Sequence, residues 1–322
     1  MADTTLTDKT RAFLSSAGWN VAVPDPLTGD ASTRKYFRLQ NGRHSAILMD
    51  ASRALASVAP FVRIDEHLVK LGFSAPNILA RDDTKGLLLL EDFGDATFAH
   101  LLDDGTEPEK LFTLATDVLI ALHKHPRAIP HGLRAYHPEK MLEDIELFLD
   151  WCTPEISEIG KAEFRKVWRE VLPVAHQVPA SLLLRDYHVA NLMLLPNRPG
   201  IRQAGLLDFQ DAYQGPVTYD LVSLLEDARR DVPEELQKKM IARYLAQFPA
   251  LDRNAFEISM AILAALRHTR VLAIFERLSR HEGKHDYQRL HSPRVEHRLQ
   301  KALRHPMLGH VKQWFDQYAR QN

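Results

Sequence analysis

Three polar residues in the second half of the chain combine a potential base with two potential metal ligands. Asp186 precedes Asn191 by five positions, and Asp208 follows a proline- and glycine-rich segment at residues 196–200. Amide and carboxylate oxygens suit Mg²⁺, which completes its coordination with water and phosphate oxygens. A nearby carboxylate can orient and deprotonate an attacking hydroxyl. The set therefore favours phosphoryl transfer.

The surrounding segments predict a β-hairpin that brings two of these residues together. The predicted strands are residues 181–184, 191–195 and 204–208. Turn formers at residues 196–200 separate the last two strands. Antiparallel pairing centred near Pro199 places Asn191 opposite Asp208 at the open end of the hairpin. Asp186 lies in the loop that leads into it. Aspartate and asparagine are also common in ordinary loops, but the three residues with a hairpin between them favour a catalytic site.

The first half of the chain mixes strand and helix patterns, and the second half is mainly helical. Residues 35–39 and 45–49 alternate like strands around Asn41-Gly42, a two-residue hairpin signal. Residues 61–71 form a helical stripe, and the apolar run 87–90 fits a buried strand. Further helices are predicted at residues 111–122, 138–151, 162–176, 252–280 (as one helix or two), 294–304 and 307–320.

Composition narrows the class of protein. The chain has 322 residues, a net charge of −1 at pH 7 and one cysteine, Cys152. Balanced charge does not indicate nucleic-acid binding, and a single cysteine fits a reducing cytoplasm. The polar N-terminus does not resemble a signal peptide, and no stretch looks apolar for long enough to span a bilayer. We expect a cytoplasmic protein without nucleic-acid or membrane partners.

Longer strings around the catalytic candidates resemble the aminoglycoside-phosphotransferase superfamily. Residues 183–193 read LLRDYHVANLM and residues 205–212 read GLLDFQDA. The first string is similar to the catalytic loop of protein kinases, and the second is similar to their Asp-Phe-Gly segment. Residues 29–38, GDASTRKYFR, and residues 223–229, SLLEDAR, resemble the anomeric N-acetylmuramate/N-acetylglucosamine kinases of peptidoglycan recycling.

The resemblance implies an α+β, two-lobed protein-kinase-like fold. Residues 1–92 would form a small antiparallel-sheet lobe that binds nucleotide. Residues 93–322 would form a mainly helical lobe with the catalytic loop and the acceptor pocket. The implied protein is a cytoplasmic monomer that uses ATP and Mg²⁺ to phosphorylate the anomeric hydroxyl of an amino sugar.

The resemblance also implies roles for individual residues. Asp186 would be the catalytic base, Asn191 and Asp208 would bind Mg²⁺, and Asp220 would brace the catalytic loop. The nucleotide-binding residues would be Asp30, Ala31, Ser32, Thr33 and Arg34 over the phosphates, and Glu91 and Phe93 at the hinge beside adenine.

Four residues are candidates for contacts with the acceptor: His188, Asp211, Glu143 and Arg230. His188 lies inside the catalytic loop, where a structural hydrogen bond is an equal alternative. Glu143 lies on a predicted helix, where most acidic residues face solvent. Arg230 could hold the carboxylate of a sugar acid or end a helix in solvent.

One departure from the family pattern concerns the phosphate-binding lysine of the third strand. Met49 stands near its expected position, and Arg34 or Lys35 could supply the missing charge. Glu66 would then lack its usual lysine partner and would face solvent. Two alternatives stay open: a kinase of another acceptor, such as an aminoglycoside or an amino alcohol, and a nucleotide-binding pseudokinase, which the missing lysine supports.

Overall fold

The structure of the protein is a computed structural model that describes residues 6–19, 24–27 and 34–319. The strands are β1 (Asp25–Leu27), β2 (Lys35–Asn41), β3 (His44–Asp50), β4 (Ile78–Asp82), β5 (Leu87–Glu91), β6 (Ala180–Leu183), β7 (Leu192–Leu194), β8 (Ala204–Leu206) and β9 (Tyr213–Pro216). The helices are α1 (Asp8–Ser16), α2 (Val58–Lys70), α3 (Phe98–Asp103), α4 (Pro108–Lys124), α5 (Pro138–Trp151), α6 (Glu158–Val171), α7 (Thr218–Leu225), α8 (Glu234–Ala246), α9 (Arg253–Glu282), α10 (Ser292–Ala302) and α11 (Gly309–Tyr318).

The chain divides into two compact units. The first comprises Met1–Glu107 and Ala190–Ala212, and the second comprises Pro108–Val189 and Tyr213–Asn322. The predicted β-hairpin therefore belongs to the first unit, whereas the sequence assigned it to the lobe of residues 93–322. The functional boundary at residue 92 stays a prediction.

The first unit contains an antiparallel sheet with the strand order β1-β2-β3-β5-β4. The strands predicted at residues 35–39, 45–49 and 87–90 are confirmed. The first turn lies one residue later than predicted, because Asn41 pairs with His44. Gly42 takes the first central position with φ of 61°, a conformation that glycine adopts without steric cost.

Alternation along the strands supplies one core of the first unit. Its members come from α1 and one face of the sheet: Leu6, Phe13, Leu14, Phe37, Leu39, Ala46, Leu48, Leu87 and Leu89. Helix α2 buries Phe61, Ile64 and Leu68, the positions of the predicted helical stripe. The Phe61 ring stacks on Phe209 with ring centroids 5.2 Å apart. Phe209 directly follows Asp208, so α2 and the end of the hairpin are packed together.

Helix α2 also buries a carboxyl group that sequence patterns did not single out. Asp65 is 1% exposed, and its Oδ1 has no hydrogen-bond partner among the described residues. Burial raises the pKa of Asp65 to about 7, and Glu66 and Glu91 add to the shift. The folded protein therefore keeps this proton to about pH 7, whereas the unfolded chain releases it near pH 4.

We expect Asp65→Asn to stabilise the protein more at pH 8 than at pH 5. The wild-type carboxyl group binds its proton more tightly in the folded state, so wild-type stability falls as the pH rises through this window. Asparagine has no such proton, and the difference between variant and wild type should grow by roughly 2–3 kcal/mol. Urea unfolding at both pH values measures it. A constant difference would show that Asp65 titrates normally.

The hairpin of β7 and β8 is attached to the first unit through backbone hydrogen bonds. Leu206 donates its N–H to the Ser74 carbonyl at 2.8 Å, and Leu194 donates to the Ala96 carbonyl at 2.8 Å. Gly205 leaves space for a neighbouring ring, because an added Cβ would lie 2.8 Å from Cδ2 of Phe93. These contacts hold the end of the hairpin in a defined position within its unit.

The second unit is mainly helical and contains one small antiparallel sheet, in which β6 pairs with β9. Strand β6 confirms the prediction at residues 181–184, and β9 was not predicted. Helices α4 and α5 confirm the predictions at residues 111–122 and 138–151. Helix α6 ends in the 3₁₀ turn Leu172–His176. The two C-terminal predictions correspond to α10 and α11.

Helix α9 is the central helix of the second unit. It spans 30 residues without a break and packs against α5, α7 and α10. By length and composition α9 could cross a membrane, so the expectation that no stretch is apolar enough was wrong. However, 72% of the apolar window is buried inside the fold, which is the position of a core helix.

Candidate active site

A tight turn in the second unit positions Asp186. Arg185 has φ of 67°, and Asp186 donates its N–H to the Leu184 carbonyl at 2.9 Å. The Asp220 carboxylate accepts the N–H of Leu184 at 2.6 Å and that of Arg185 at 2.9 Å. Asp220 therefore braces the turn, as the sequence predicted. A left-handed arginine is strained, and such contacts are what maintain it.

We expect Asp220→Asn to destabilise the protein by about 1–3 kcal/mol, because one oxygen that accepts a backbone N–H becomes a donor. Burial raises the pKa of Asp220 to about 7 even though both amides stabilise the carboxylate, so this site tolerates little change. Turnover should fall as well, since the turn holds Asp186. Urea unfolding and kcat measure the two effects. The exposed Asp150→Asn is a matched control, and a fully stable, fully active Asp220→Asn would refute the bracing role.

Cations near Asp186 keep its carboxylate ionised. Burial acts to raise the pKa of Asp186, but the guanidinium groups of Arg270, Arg185 and Arg267 hold it below its ordinary value. Asp186 is therefore charged at neutral pH. A charged carboxylate can orient a hydroxyl and take its proton as that hydroxyl attacks.

The neighbouring Arg185 is anchored to α5. Its Nη2 donates to Oδ2 of Asp144 at 2.6 Å, and the Tyr136 hydroxyl donates to the same oxygen at 2.9 Å. The guanidinium also lies 4.8 Å from the Tyr136 ring centroid and 5.0 Å from that of Tyr213. Arg185 is 5% exposed, so this network also fixes the turn through the Arg185 side chain.

Helix α5 turns its acidic residues in different directions. Asp144 faces inward to Arg185, whereas the side chain of Glu143 is 69% exposed and pairs with Lys140 at 2.9 Å. Glu143 lines a groove of about 400 Å³ with Lys140 and Tyr213. Its role as an acceptor ligand stays a prediction.

Asn191 and Asp208 lie at the end of the hairpin in the first unit. The register pairs Leu192 with Leu206, and Leu207 donates its N–H to the Asn191 carbonyl at 3.0 Å. The predicted pairing of Asn191 with Asp208 is therefore wrong by one residue. The turn contains a short 3₁₀ helix, Gly200–Gln203, whose length the turn-forming residues do not reveal.

Asp208 leaves the strand with φ of 60°, so its side chain does not follow strand alternation. Its Oδ1 accepts from Arg34 Nη2 at 3.0 Å and from Gln210 Nε2 at 2.9 Å. The Asp208 side chain remains 40% exposed. The carboxylate is thus positioned by its neighbours while part of it stays accessible.

The donor set fits a magnesium ion. One carboxylate and one amide are hard oxygen donors, and Mg²⁺ usually takes the remaining ligands from water and phosphate. Across the described ranges, no cluster of three or more His, Cys, Asp or Glu residues could form a metal site from side chains alone. Metal binding by Asn191 and Asp208 stays a prediction.

Of the predicted phosphate-binding residues 30–34, only Arg34 lies among the described residues. Asp30, Ala31, Ser32 and Thr33 lie outside the described residues. Arg34 is 9% exposed at its side chain and contacts Asp208, whereas the Lys35 side chain has no such contact among the described residues. Met49 is fully buried.

Two glutamates of the first unit have different surroundings. Glu66 pairs with Arg81 at 3.0 Å, and its side chain is 62% exposed, as expected for a residue without a lysine partner on β3. At the predicted hinge, Glu91 accepts from Asn77 Nδ2 at 2.7 Å and pairs with Arg198. The Arg198 guanidinium lies 5.1 Å from the Phe93 ring centroid. Adenine binding at the hinge stays a prediction.

The remaining acceptor candidates are placed as follows. His188 is 6% exposed, and burial lowers its pKa, so the imidazole is neutral at pH 7. Arg230 follows α7, and its carbonyl accepts from Arg298 Nη2 at 2.7 Å. Asp211 is exposed and accepts from Gln210 Nε2 at 3.3 Å. No acceptor role is assigned to them by these contacts.

Sequence reasoning missed the arginines of α9 that influence Asp186. Arg267 is 5% exposed, and Arg270 is the cation with the largest effect on the pKa of Asp186. The signal was present, because both arginines interrupt a strongly apolar stretch at residues 262–275. Charged residues are seldom buried without a specific reason.

Comparisons with known proteins identify the family of this chain. The model of the phosphotransferase enzyme family APH matches residues 25–256. An N-acetylmuramate/N-acetylglucosamine kinase of Caulobacter vibrioides is 35% identical, over 96% of this chain and 95% of that protein. A protein of the same name from Pseudomonas aeruginosa is 33% identical, over 84% of this chain and 82% of its own.

Solved structures support the fold. A choline/ethanolamine kinase family protein from Mesorhizobium loti superposes with a TM-score of 0.64 at 17% identity, covering 96% of this chain and 99% of that one. The expected α+β, protein-kinase-like fold is therefore confirmed. Given the family match over most of its length, this chain belongs to the phosphotransferase enzyme family APH.

Proposed function

We propose that this protein is an ATP- and Mg²⁺-dependent kinase that phosphorylates the anomeric hydroxyl of N-acetylmuramate and N-acetylglucosamine. The observation that carries the reaction type is the Asp220-braced turn, which presents an ionised Asp186. Support for the acceptor comes from the relatives of that name, which match 80–96% of this chain. The same relatives favour an amino sugar over an aminoglycoside or an amino alcohol.

Asp186 would act on the acceptor. Its carboxylate orients the anomeric hydroxyl and takes its proton as the sugar oxygen forms a bond to the γ-phosphorus of ATP. The bond from that phosphorus to the β,γ-bridging oxygen breaks, and ADP leaves. The products are the sugar 1-phosphate and ADP. Bound at Asn191 and Asp208, Mg²⁺ would neutralise phosphate charge.

Arg34 would supply the phosphate-binding charge that Met49 cannot. Its guanidinium already lies beside the proposed metal ligand Asp208. We expect Arg34→Gln to raise the KM for ATP and lower kcat, because one cation is lost from the phosphate site. Lys35→Gln should be close to wild type. Unchanged ATP kinetics in both variants would refute this role.

A phosphoryl-transfer screen with ATP and Mg²⁺ tests the proposal. The acceptors should include N-acetylmuramate, N-acetylglucosamine, kanamycin and ethanolamine, and the product should be identified by phosphorus NMR. We expect sugar 1-phosphates from the first two acceptors only. Turnover of another acceptor alone would overturn the sugar assignment and leave the kinase assignment intact. Nucleotide binding without any turnover would favour the pseudokinase.

We also propose that the protein acts as a monomer in the cytoplasm. Its single cysteine, Cys152, is half-buried, and burial raises the pKa of its thiol to about 12. Such a thiol is unreactive and needs no oxidising compartment. Light scattering over a concentration series measures the mass, and a stable dimer would contradict the proposal.

A further inference from the structure

Arg267 is a buried arginine with one unsatisfied side-chain nitrogen in the part of the chain that the structure describes. It lies on α9 within an apolar stretch and is 5% exposed. Its Nη1 is buried and has no hydrogen-bond partner among the described residues. Burial of a charge normally requires a partner that compensates the lost hydration. The packing of α9 alone therefore does not explain why an arginine is buried at this position.

The groups within electrostatic range of Arg267 all belong to the catalytic loop and its support. They are Asp186, His188 and Asp220, together with the adjacent His268. Both oxygens of Asp220 accept backbone N–H groups, and His268 pairs with Glu226 at 2.6 Å. The geometry of α9 agrees, because Arg270, one helical turn after Arg267, contacts Asp144, which pairs with Arg185 next to Asp186. Arg267 and the proposed base therefore lie in the same part of the second unit.

Arg270, which lies one helical turn after Arg267 on α9, differs from it because a carboxylate lies nearby. Arg270 lies 3.8 Å from Asp144 through its Nε, and Asp144 also pairs with Arg185 and Lys140. The Asp144 carboxylate therefore lies within 4 Å of three cationic side chains. With Arg267 added, three guanidinium groups lie within electrostatic range of Asp186, those of Arg185, Arg267 and Arg270. Such a field attracts an anionic acceptor and repels a cationic one.

We propose that Arg267 is a specificity residue that binds the carboxylate of an acidic amino sugar next to the catalytic base. The inference rests on the proposed function and deepens it: the ligand is the lactyl carboxylate of N-acetylmuramate. Arginine suits this task because its planar guanidinium can donate two parallel hydrogen bonds to a carboxylate. N-acetylglucosamine has no carboxylate and would leave Arg267 to water.

The two sugars make a matched pair of probes, because they share the ring and the reacting hydroxyl. We expect Arg267→Gln to lower kcat/KM for N-acetylmuramate about 10- to 100-fold, the effect of losing hydrogen bonds to a charged group. The value for N-acetylglucosamine should fall by a smaller factor, because Arg267 also helps to keep Asp186 ionised; the ratio of the two values is therefore the measured quantity. The kcat/KM of Arg267→Lys for N-acetylmuramate should lie between those of the wild type and Arg267→Gln. Lysine keeps the positive charge but lacks the planar guanidinium that donates two parallel hydrogen bonds.

Two further comparisons separate recognition from structure. Arg277→Gln, on the exposed side of the same helix, should leave both sugars unaffected. Wild-type enzyme should prefer N-acetylmuramate to its methyl ester, and Arg267→Gln should lose that preference. Equal losses on both sugars would overturn the assignment of Arg267 and indicate a role in holding the loop. A wild-type enzyme inactive on both sugars would overturn the proposed function, and this inference with it.

Discussion

Replacing Asp186 by asparagine should reduce kcat about 10²- to 10⁴-fold, the usual contribution of a general base, and leave ATP affinity unchanged. Asparagine has nearly the same shape but cannot take a proton. The turn should persist, because Asp220 holds it through the backbone amides of Leu184 and Arg185. Single-turnover rates and ATP titration measure the two quantities separately.

The pH profile of the wild type provides an independent reading of the same residue. Because the pKa of Asp186 is held below its ordinary value, the base stays ionised across neutral pH. Activity should therefore not fall on the acid side, through this group, until below about pH 4. The exposed Asp150→Asn should behave like wild type. A variant at position 186 with turnover within tenfold of wild type would exclude Asp186 as the base.

Replacing Asp208 by asparagine should also lower kcat strongly, in this case through weaker binding of Mg²⁺. Metal ions contribute several kcal/mol of charge stabilisation in such reactions, so kcat should fall at least about 100-fold. The Mg²⁺ concentration required for half-maximal rate should rise, because an amide is a weaker ligand than a carboxylate. Initial rates over a Mg²⁺ series measure both.

The Arg34–Asp208 ion pair complicates that result, because the substitution also removes a partner of Arg34. Arg34→Gln breaks the pair and keeps the ligand, so it should leave the Mg²⁺ requirement near that of the wild type. Asp104→Asn, on the exposed end of α3, controls for a general loss of acidic charge. An unchanged Mg²⁺ requirement in Asp208→Asn would exclude it as a metal ligand.

Local patterns predicted most of the elements that carry the candidate site. The strands that surround Asn41-Gly42, the helix at residues 138–151 and the hairpin around residue 199 follow from apolar periodicity and turn formers. Strand β9 escaped prediction because its sequence, Tyr213–Pro216, contains glycine and proline and alternates weakly. Its pairing with β6 depends on the rest of the fold.

The sequence identified the residue types of the candidate site but not the surroundings of these residues. Asp186, Asn191 and Asp208 could be named from their spacing, whereas the hairpin register depended on a 3₁₀ turn that spacing does not reveal. Asp65 looks like an ordinary helix residue until its burial is known, and Arg267 was overlooked although it interrupts an apolar stretch. Burial is a tertiary property, so the cost and the use of their charges could not be predicted from local sequence.

The interleaving of the two units has a consequence for synthesis on the ribosome. The first unit is interrupted after Glu107 and resumes at Ala190. Its hydrogen bonds from Leu206 to Ser74 and from Leu194 to Ala96 cannot form until the chain beyond residue 206 has emerged. The first unit must therefore wait without its β7–β8 hairpin while residues 108–189 of the second unit are translated. A chain that ends near residue 107 would lack the hairpin and would expose the apolar surface that it covers around Phe61 and Ser74. We expect such truncated chains to aggregate.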